Sequence, residues 1–319
     1  MNLLAASAKR SALVKSQYAG WMRYNGCMSK RKPTQEEICR HAEDKKRARD
    51  ELYLLLDHPR SLIRYSAACE LQQRGGKETV KFAEAWCRDS RYRRRATGAF
   101  ILGQITLPPE KEASVFNLLN AMAEYDKSAL ARAAAVEAMA HRCRITARHW
   151  PPLLAQSTFT VTDGSINVRR ATAFALSAAY DERAIPLLVR LLNDTHSGVR
   201  SWAAFSINFH LYDTPEIRER LINLLHDPDD AVRAEAILGL AHRKEKSVVP
   251  ALKEALRQER VFDEFIEAAG ASENESLLPE LRGLLRRCDD NDRLIATAIR
   301  RLQNRPAPAS DNREIAHEE

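Results

Sequence analysis

The chain is poor in the residues that break helices and in those that build sheets. Its 319 residues include only 11 glycines, 13 prolines and 7% aromatic residues. Sandwiches and barrels need turn residues and β-formers at short, even spacing, so this composition points to helices. No apolar run reaches 18 residues, which excludes a transmembrane helix on sequence grounds. Residues 1–15 alternate short apolar stretches with Ser, Lys and Arg, without the apolar core of a secretory signal. Six cysteines (Cys27, Cys39, Cys69, Cys87, Cys143 and Cys288) are scattered with no C-x-x-C pair. That usage implies free thiols in a reducing compartment, hence a cytoplasmic location, and Cys69 reads as a small buried hydrophobe.

The signatures of catalysis are missing as well. There is no G-x-S-x-G elbow, no Ser-His-Asp arrangement and no phosphate-cradling glycine loop, so no catalytic residue and no cofactor is assigned. His141, Cys143 and His149 have ligand chemistry, but no nearby Cys or His completes a zinc site, and no metal is assigned either.

Acidic residues are absent from one end. Residues 1–35 carry Lys9, Arg10, Lys15, Arg23, Lys30, Arg31 and Lys32 and no acid, so the net charge of +7 resides there and residues 36–319 are balanced. The charge therefore gives no general nucleic-acid signal. Residues 1–35 read as a basic disordered arm, within which Met28 is an alternative start. Ordered helix is expected from Thr34-Gln35-Glu36-Glu37, and 304–319, with Pro306, Pro308, Ser310 and Asp311, reads as a disordered tail.

What is present is repetition. An Asp, a turn and an Arg recur six times, as Asp57/Arg64, Asp89/Arg95, Asp126/Arg132, Asp163/Arg169, Asp194/Arg200 and Asp227/Arg233. The separation is six residues in all but the first pair, where it is seven. Successive arginines are 31, 37, 37, 31 and 33 residues apart. A helical pattern with a period of 30 to 40 predicts an α-solenoid, in which a helix pair buries its apolar face only against its neighbours. One repeat shows the grammar. The stretch from Ala184 to Asp194 shows a first helix with Pro186 in its first turn, where a missing N–H costs nothing; Pro250 and Pro279 sit alike. After Asp194 a second helix starts near Arg200 and places Ala203, Ala204 and Ile207 on one face. Gly75-Gly76 reads as a break between helices.

These recurring Asp, Val-Arg, Ala-Ala and Leu positions over 51–303 resemble the HEAT-repeat family, in the short form shared with phycobilisome-lyase-type proteins. The resemblance implies an all-α, right-handed solenoid of about seven to eight repeats spanning 36–303. It also implies a hydrogen-bonded ladder between the Asp and Arg of successive repeats, built from Asp89, Arg95, Asp126, Arg132, Asp163, Arg169, Asp194, Arg200, Asp227 and Arg233 along with the first pair. Val261-Phe262 stands where Val-Arg is expected, and the stretch from Asp290 to Leu302 also lacks the Arg, so these two repeats are expected to form a C-terminal cap. The segments 71–76, 98–105, 167–175 and 266–270 resemble a bacterial HEAT-repeat family encoded beside Rhs elements and regarded as immunity proteins for Rhs toxins. That resemblance implies a protein partner, a cognate toxin domain, and carries no contact residues with it.

For the contact residues the pattern itself nominates Trp202, Glu137, His141, His242 and Arg243, which are expected to project from the Ala-Ala-Leu packing face onto the concave side. Trp and Arg are common binding anchors, and Glu137 is an acid set among alanines. Phe100, Phe174 and Phe205, each five residues after a repeat Arg, are expected to pack between repeats. Gln73-Arg74, His141-Arg142, His210 and His242-Arg243, at the ends of second helices, read either as a basic rim or as cations at helix C-termini. Arg91, Arg93, Arg94 and Arg95, with Tyr92, form the densest basic run and allow a phosphate contact. The leading expectation is a non-enzymatic binding protein that occludes a toxin, without nucleic acid or membrane as favoured partners. The alternatives are a HEAT-like DNA glycosylase using Trp202 and Glu137, and a phycobilin-lyase-like protein.

Overall fold

The computed structural model describes residue 40 and residues 43–259, 261–287 and 292–303. The basic arm, the helix start at Thr34, the tail from 304, and Cys27, Cys39 and Cys288 lie outside them. Among the described residues there are sixteen α-helices and no strand. In chain order they are α1 Arg49–Leu55, α2 Ser61–Arg74, α3 Lys77–Trp86, α4 Tyr92–Gln104, α5 Glu112–Tyr125, α6 Ala129–Ile145, α7 Trp150–Thr160, α8 Ile166–Ala175, α9 Ile185–Leu192, α10 Ser197–His210, α11 Pro215–Leu224, α12 Asp230–His242, α13 Val249–Arg257, α14 Asp263–Ala271, α15 Leu278–Leu285 and α16 Asp292–Gln303. They pair as first (odd) and second (even) helices of eight repeats, and the fold is the all-α repeat architecture read from the sequence.

Helix boundaries follow from local chemistry. Pro186, Pro250 and Pro279 fall in the first turns of α9, α13 and α15, and Pro151 and Pro215 do so in α7 and α11. A short 3₁₀ turn leads into α7, α9, α13 and α15. At the end of α2, Gly75 and Gly76 have φ of 58° and 100°, a backbone that a side chain would strain. This is the break that the two glycines signalled.

The chain divides into two units between Tyr212 and Asp213. In the first, the second helices α2, α4, α6, α8 and α10 pack in sequence on one another, and α5 packs on α7 in the adjoining layer. In the second, α12 packs on α14 and α14 on α16, while α13 packs on α15. Each unit thus has two helical layers enclosing an apolar seam, with Leu71, Ile101, Leu119, Met139 and Leu176 fully buried in the first and Val232, Leu240, Leu252 and Leu281 in the second. Small residues set the helix spacing. A Cβ added at Gly103 of α4 would lie 2.8 Å from the Ala138 Cα of α6. Cys87 and Cys143 are buried free thiols, each pushed up to about 12 chiefly by burial; Cys69 is half-buried rather than buried.

Candidate functional site

The Asp-turn-Arg units frame the starts of the second helices from α4 to α12. Each Asp first closes its own turn: Asp126, Asp163 and Asp194 accept the amides of Ser128, Ser165 and His196 at 2.8, 2.8 and 2.9 Å. The same carboxylates are then gripped by the arginine of the preceding repeat. Arg95 donates through Nε and Nη2 to Asp126 at 2.7 and 2.7 Å, Arg132 to Asp163 at 2.8 and 3.0 Å, and Arg169 to Asp194 at 2.6 and 3.0 Å. The third fork nitrogen, Nη1, returns to the arginine's own turn, to the carbonyls of Asp89, Asp126 and Asp163 at 3.0, 2.9 and 2.9 Å. Arg200 and Arg233 make this return bond to Asp194 and Asp227 at 2.8 and 2.6 Å. Within a repeat, then, Arg meets the backbone of its Asp; between repeats it meets the carboxylate. Burial alone would raise the carboxyls of Asp126, Asp163 and Asp194, but the arginine bonds, the turn amides and the neighbouring charges together hold them below the usual range.

The first pair departs from this scheme. Asp89, which the scheme would pair with Arg64, is instead held by Arg94 at 2.9 Å, and Arg94 also donates to Asp57. Arg64 keeps the return bond, and because of the extra residue the carbonyl six residues back belongs to His58 rather than Asp57, at 2.6 Å.

The cations at second-helix ends are used internally. Arg74 donates to the carbonyls of Arg47 and Asp44 at 2.8 and 2.9 Å. Arg142 has no exposure and donates to the Gly103 and Ile105 carbonyls at the end of α4 at 2.9 and 2.8 Å, and to Glu112 at 3.2 Å. The His210 Nε2 lies 3.1 Å from the Ser177 carbonyl. A basic rim is therefore not what these residues build. They satisfy the carbonyls that end helices of their own or the preceding repeat, where no intrahelical donor exists. Arg142, with Glu112 and with His149 stacked 4.1 Å from Phe116, is a buried network that sequence reasoning missed. Its signal was only an Arg at a helix end, which the pattern shares with exposed residues.

Of the nominated contact residues, the structure places Glu137 and His141 on α6 and Trp202 on α10, with α8 packed between them in the first unit, while His242 and Arg243 belong to the second. The expected projection fails for two of them. Trp202 is only 6% exposed because its ring meets Phe174 and Phe205 edge-on at 5.3 and 5.2 Å. Arg243 is 8% exposed because it turns back along its own helix, Nη1 donating to the Gly239 carbonyl at 2.6 Å, and desolvation pulls it down to about 10. Glu137, His141 and His242 are half-buried.

Around them the second helices form an aromatic face. The His141 and Phe174 rings are 5.6 Å apart, the Arg144 guanidinium lies 4.6 Å from Phe174, and Phe205 continues to Phe209 at 5.9 Å. Tyr65 and Phe100 extend the same row in earlier repeats, at 5.2 Å. Phe174 is buried as packing demands, but Phe100, Phe205 and Phe209 keep part of their rings open. Glu137 occupies in its repeat the position, five after the Arg, that Phe100, Phe174 and Phe205 occupy in theirs. Burial raises its carboxyl, with Arg170 opposing. His141, one turn on, is pushed down to about 3 by burial and by Arg144 and Arg142. The face is apolar with one weakly compensated acid at its middle.

Comparison with known proteins bears on what such a face belongs to. The HEAT-repeat family model matches residues 152–209 and 211–305. Protein YibA of Escherichia coli K12 is 47% identical over 254 residues, covering 80% of this chain and 90% of YibA, and YibA of E. coli O157:H7 matches equally. The chain belongs to the YibA family of HEAT-repeat proteins. An X-ray structure of E. coli YibA superposes with a TM-score of 0.72 at 45% identity, covering 87% of this chain and all of that one. HEAT repeats are generally protein-interaction modules, and no helix among the described residues is long and apolar enough to cross a membrane.

Proposed function

We propose that this YibA-family chain is a non-enzymatic, cytoplasmic immunity protein that neutralises a cognate Rhs-type toxin by covering it with the second-helix face of the first unit. The observation that carries the reading is Glu137. A half-buried carboxylate with a raised affinity for its proton, set in a row of half-open phenylalanines, is costly in the free protein. A partner's lysine or arginine seated against it, with an apolar ring on Phe205 or Phe209, would relieve that cost. Interface hot spots favour aromatic and arginine anchors in desolvated pockets, and complementary charge fixes their register. Trp202 serves the same face from beneath, by holding Phe174 and Phe205. The glycosylase alternative has less support, since a base-trapping aromatic must be accessible and Trp202 is buried. The phycobilin-lyase alternative rests on repeat type alone.

The test is co-expression of the neighbouring toxin domain with wild-type protein and with Glu137→Lys and Phe205→Ala variants, each checked for native helicity. Loss of protection by folded Glu137→Lys is expected, since like charges then meet across the interface. Full protection by both folded variants would remove this face from the site. Failure of the wild type to bind any neighbouring toxin would remove the immunity reading itself.

A further inference from the structure

The irregular first rung leaves a different kind of surface between the first two turns. Here the Asp57 carboxylate is held by Arg94, whose Nε lies 3.1 Å from both oxygens, and the Arg94 guanidinium lies 4.9 Å from the Trp86 ring. Arg64 makes the same return bonds as the rung arginines, Nη1 donating to the His58 and Pro59 carbonyls at 2.6 and 2.7 Å, while the next turn's Asp89 is held by Arg94. Between the two turns lies a cavity of about 500 Å³, lined by Arg64, Arg91, Arg93 and Arg94 with His58 and Tyr92, and Asp57 is the one carboxylate in its wall. Helices α2 and α4 start beside it, and neither start has a side-chain cap.

Four guanidiniums beside two carboxylates, Asp57 and Asp89, leave an excess of positive charge, and two helix starts without a side-chain cap add partial positive charge to the same space. Asp57 and Asp89 both pair with Arg94, with Arg91 more distant at 3.6 Å from each. Arg93 is exposed, its guanidinium 5.7 Å from the Tyr92 ring, and that ring is itself 44% exposed. We propose that this cavity binds the phosphoryl group of a small phosphorylated ligand. Guanidinium forks match the oxygen spacing of a phosphate and stay charged at any physiological pH. The volume falls within the range of about 300–1,000 Å³ typical of small-ligand sites. A planar ring attached to the phosphate would have the Tyr92 and Arg93 faces to stack on. A nucleic-acid backbone fits less well, because residues 36–319 are balanced in charge and offer no continuous basic track.

The experiment titrates the full chain with inorganic phosphate, pyrophosphate, AMP and a thymidine oligonucleotide by calorimetry, at low and moderate salt. Saturable binding of pyrophosphate is expected. It should weaken at least about ten-fold in Arg91→Ala/Arg93→Ala and stay unchanged in Arg190→Ala, an exposed arginine on α9. Tighter binding of AMP than of phosphate, lost in Tyr92→Ala, would assign a nucleotide; equal binding would assign the phosphoryl group alone. If the double variant does not fold, Arg93→Gln carries the comparison. No saturable binding of any phosphate, binding indifferent to these arginines, or binding of the oligonucleotide only would overturn the proposal.

Discussion

Arg132 is the rung residue best placed to test the frame, since it has a complete repeat on either side. Replacing it with Ala removes two bonds to Asp163, at 2.8 and 3.0 Å, and one to the Asp126 carbonyl, at 2.9 Å. The Asp163 carboxylate is left with the Ser165 amide alone. Breaking a fully buried pair costs about 3–5 kcal/mol. The Arg132 and Asp163 side chains keep 20% and 14% exposure, so water recovers part of the loss and about 2–3 kcal/mol is expected. For a unit of this size that corresponds to a fall in Tm on the order of 5–10 °C. Urea denaturation followed by circular dichroism gives the free energy, and an Arg132→Ala/Asp163→Ala cycle isolates the coupling between the two. Arg132→Lys should recover less than half of the loss, because an ammonium cannot fork. The pH dependence supplies a second check. Since the folded Asp163 carboxyl lies below its ordinary value, the rung's contribution is complete above the unfolded carboxyl's pKa of about 3.9. It fades as pH falls through the depressed folded value, so wild type and Arg132→Ala should converge in strong acid. An unchanged denaturation midpoint in Arg132→Ala, or a difference that persists undiminished at low pH, would refute the assignment.

Further expectations concern groups away from the ladder. His141, held at about 3 in the fold against about 6.5 unfolded, contributes stability above pH 6.5 that is lost as pH falls toward 3. At pH 5 wild type should therefore have lost about 1–2 kcal/mol that His141→Gln keeps, as read from paired denaturation curves. Arg142→Ala should cost about 3–5 kcal/mol by stranding Glu112 and two helix-end carbonyls, and Arg142→Leu/Glu112→Leu should recover much of it; equal stability of Arg142→Ala and wild type would dismiss the network. Gly103→Ala should cost about 1–3 kcal/mol by forcing α4 from α6, whereas Gly164→Ala, whose Cβ meets nothing within 4 Å, should be near neutral.

The sequence alone determined the repeat. Its period, the Asp-turn-Arg spacing and the prolines at first-helix starts follow from local rules, since a turn, a cap and a helical face each need particular residues a few positions apart. Local rules also placed Glu137 and the phenylalanines at equivalent positions five residues after each Arg. Which side chains remain open to a partner was decided by tertiary packing. Trp202 and Glu137 both sit on second helices beside small residues, yet Phe174 and Phe205 cover the first while the second stays half open, and ring contacts between repeats are not written in either helix alone. Arg142 read from sequence as a helix-end cation, but the Gly103 and Ile105 carbonyls it satisfies come within reach only after folding. One extra residue before Arg64 was legible as an irregular spacing. That an arginine-lined cavity opens beside it required Arg94, 37 residues from Asp57, to reach that carboxylate, which only the fold arranges.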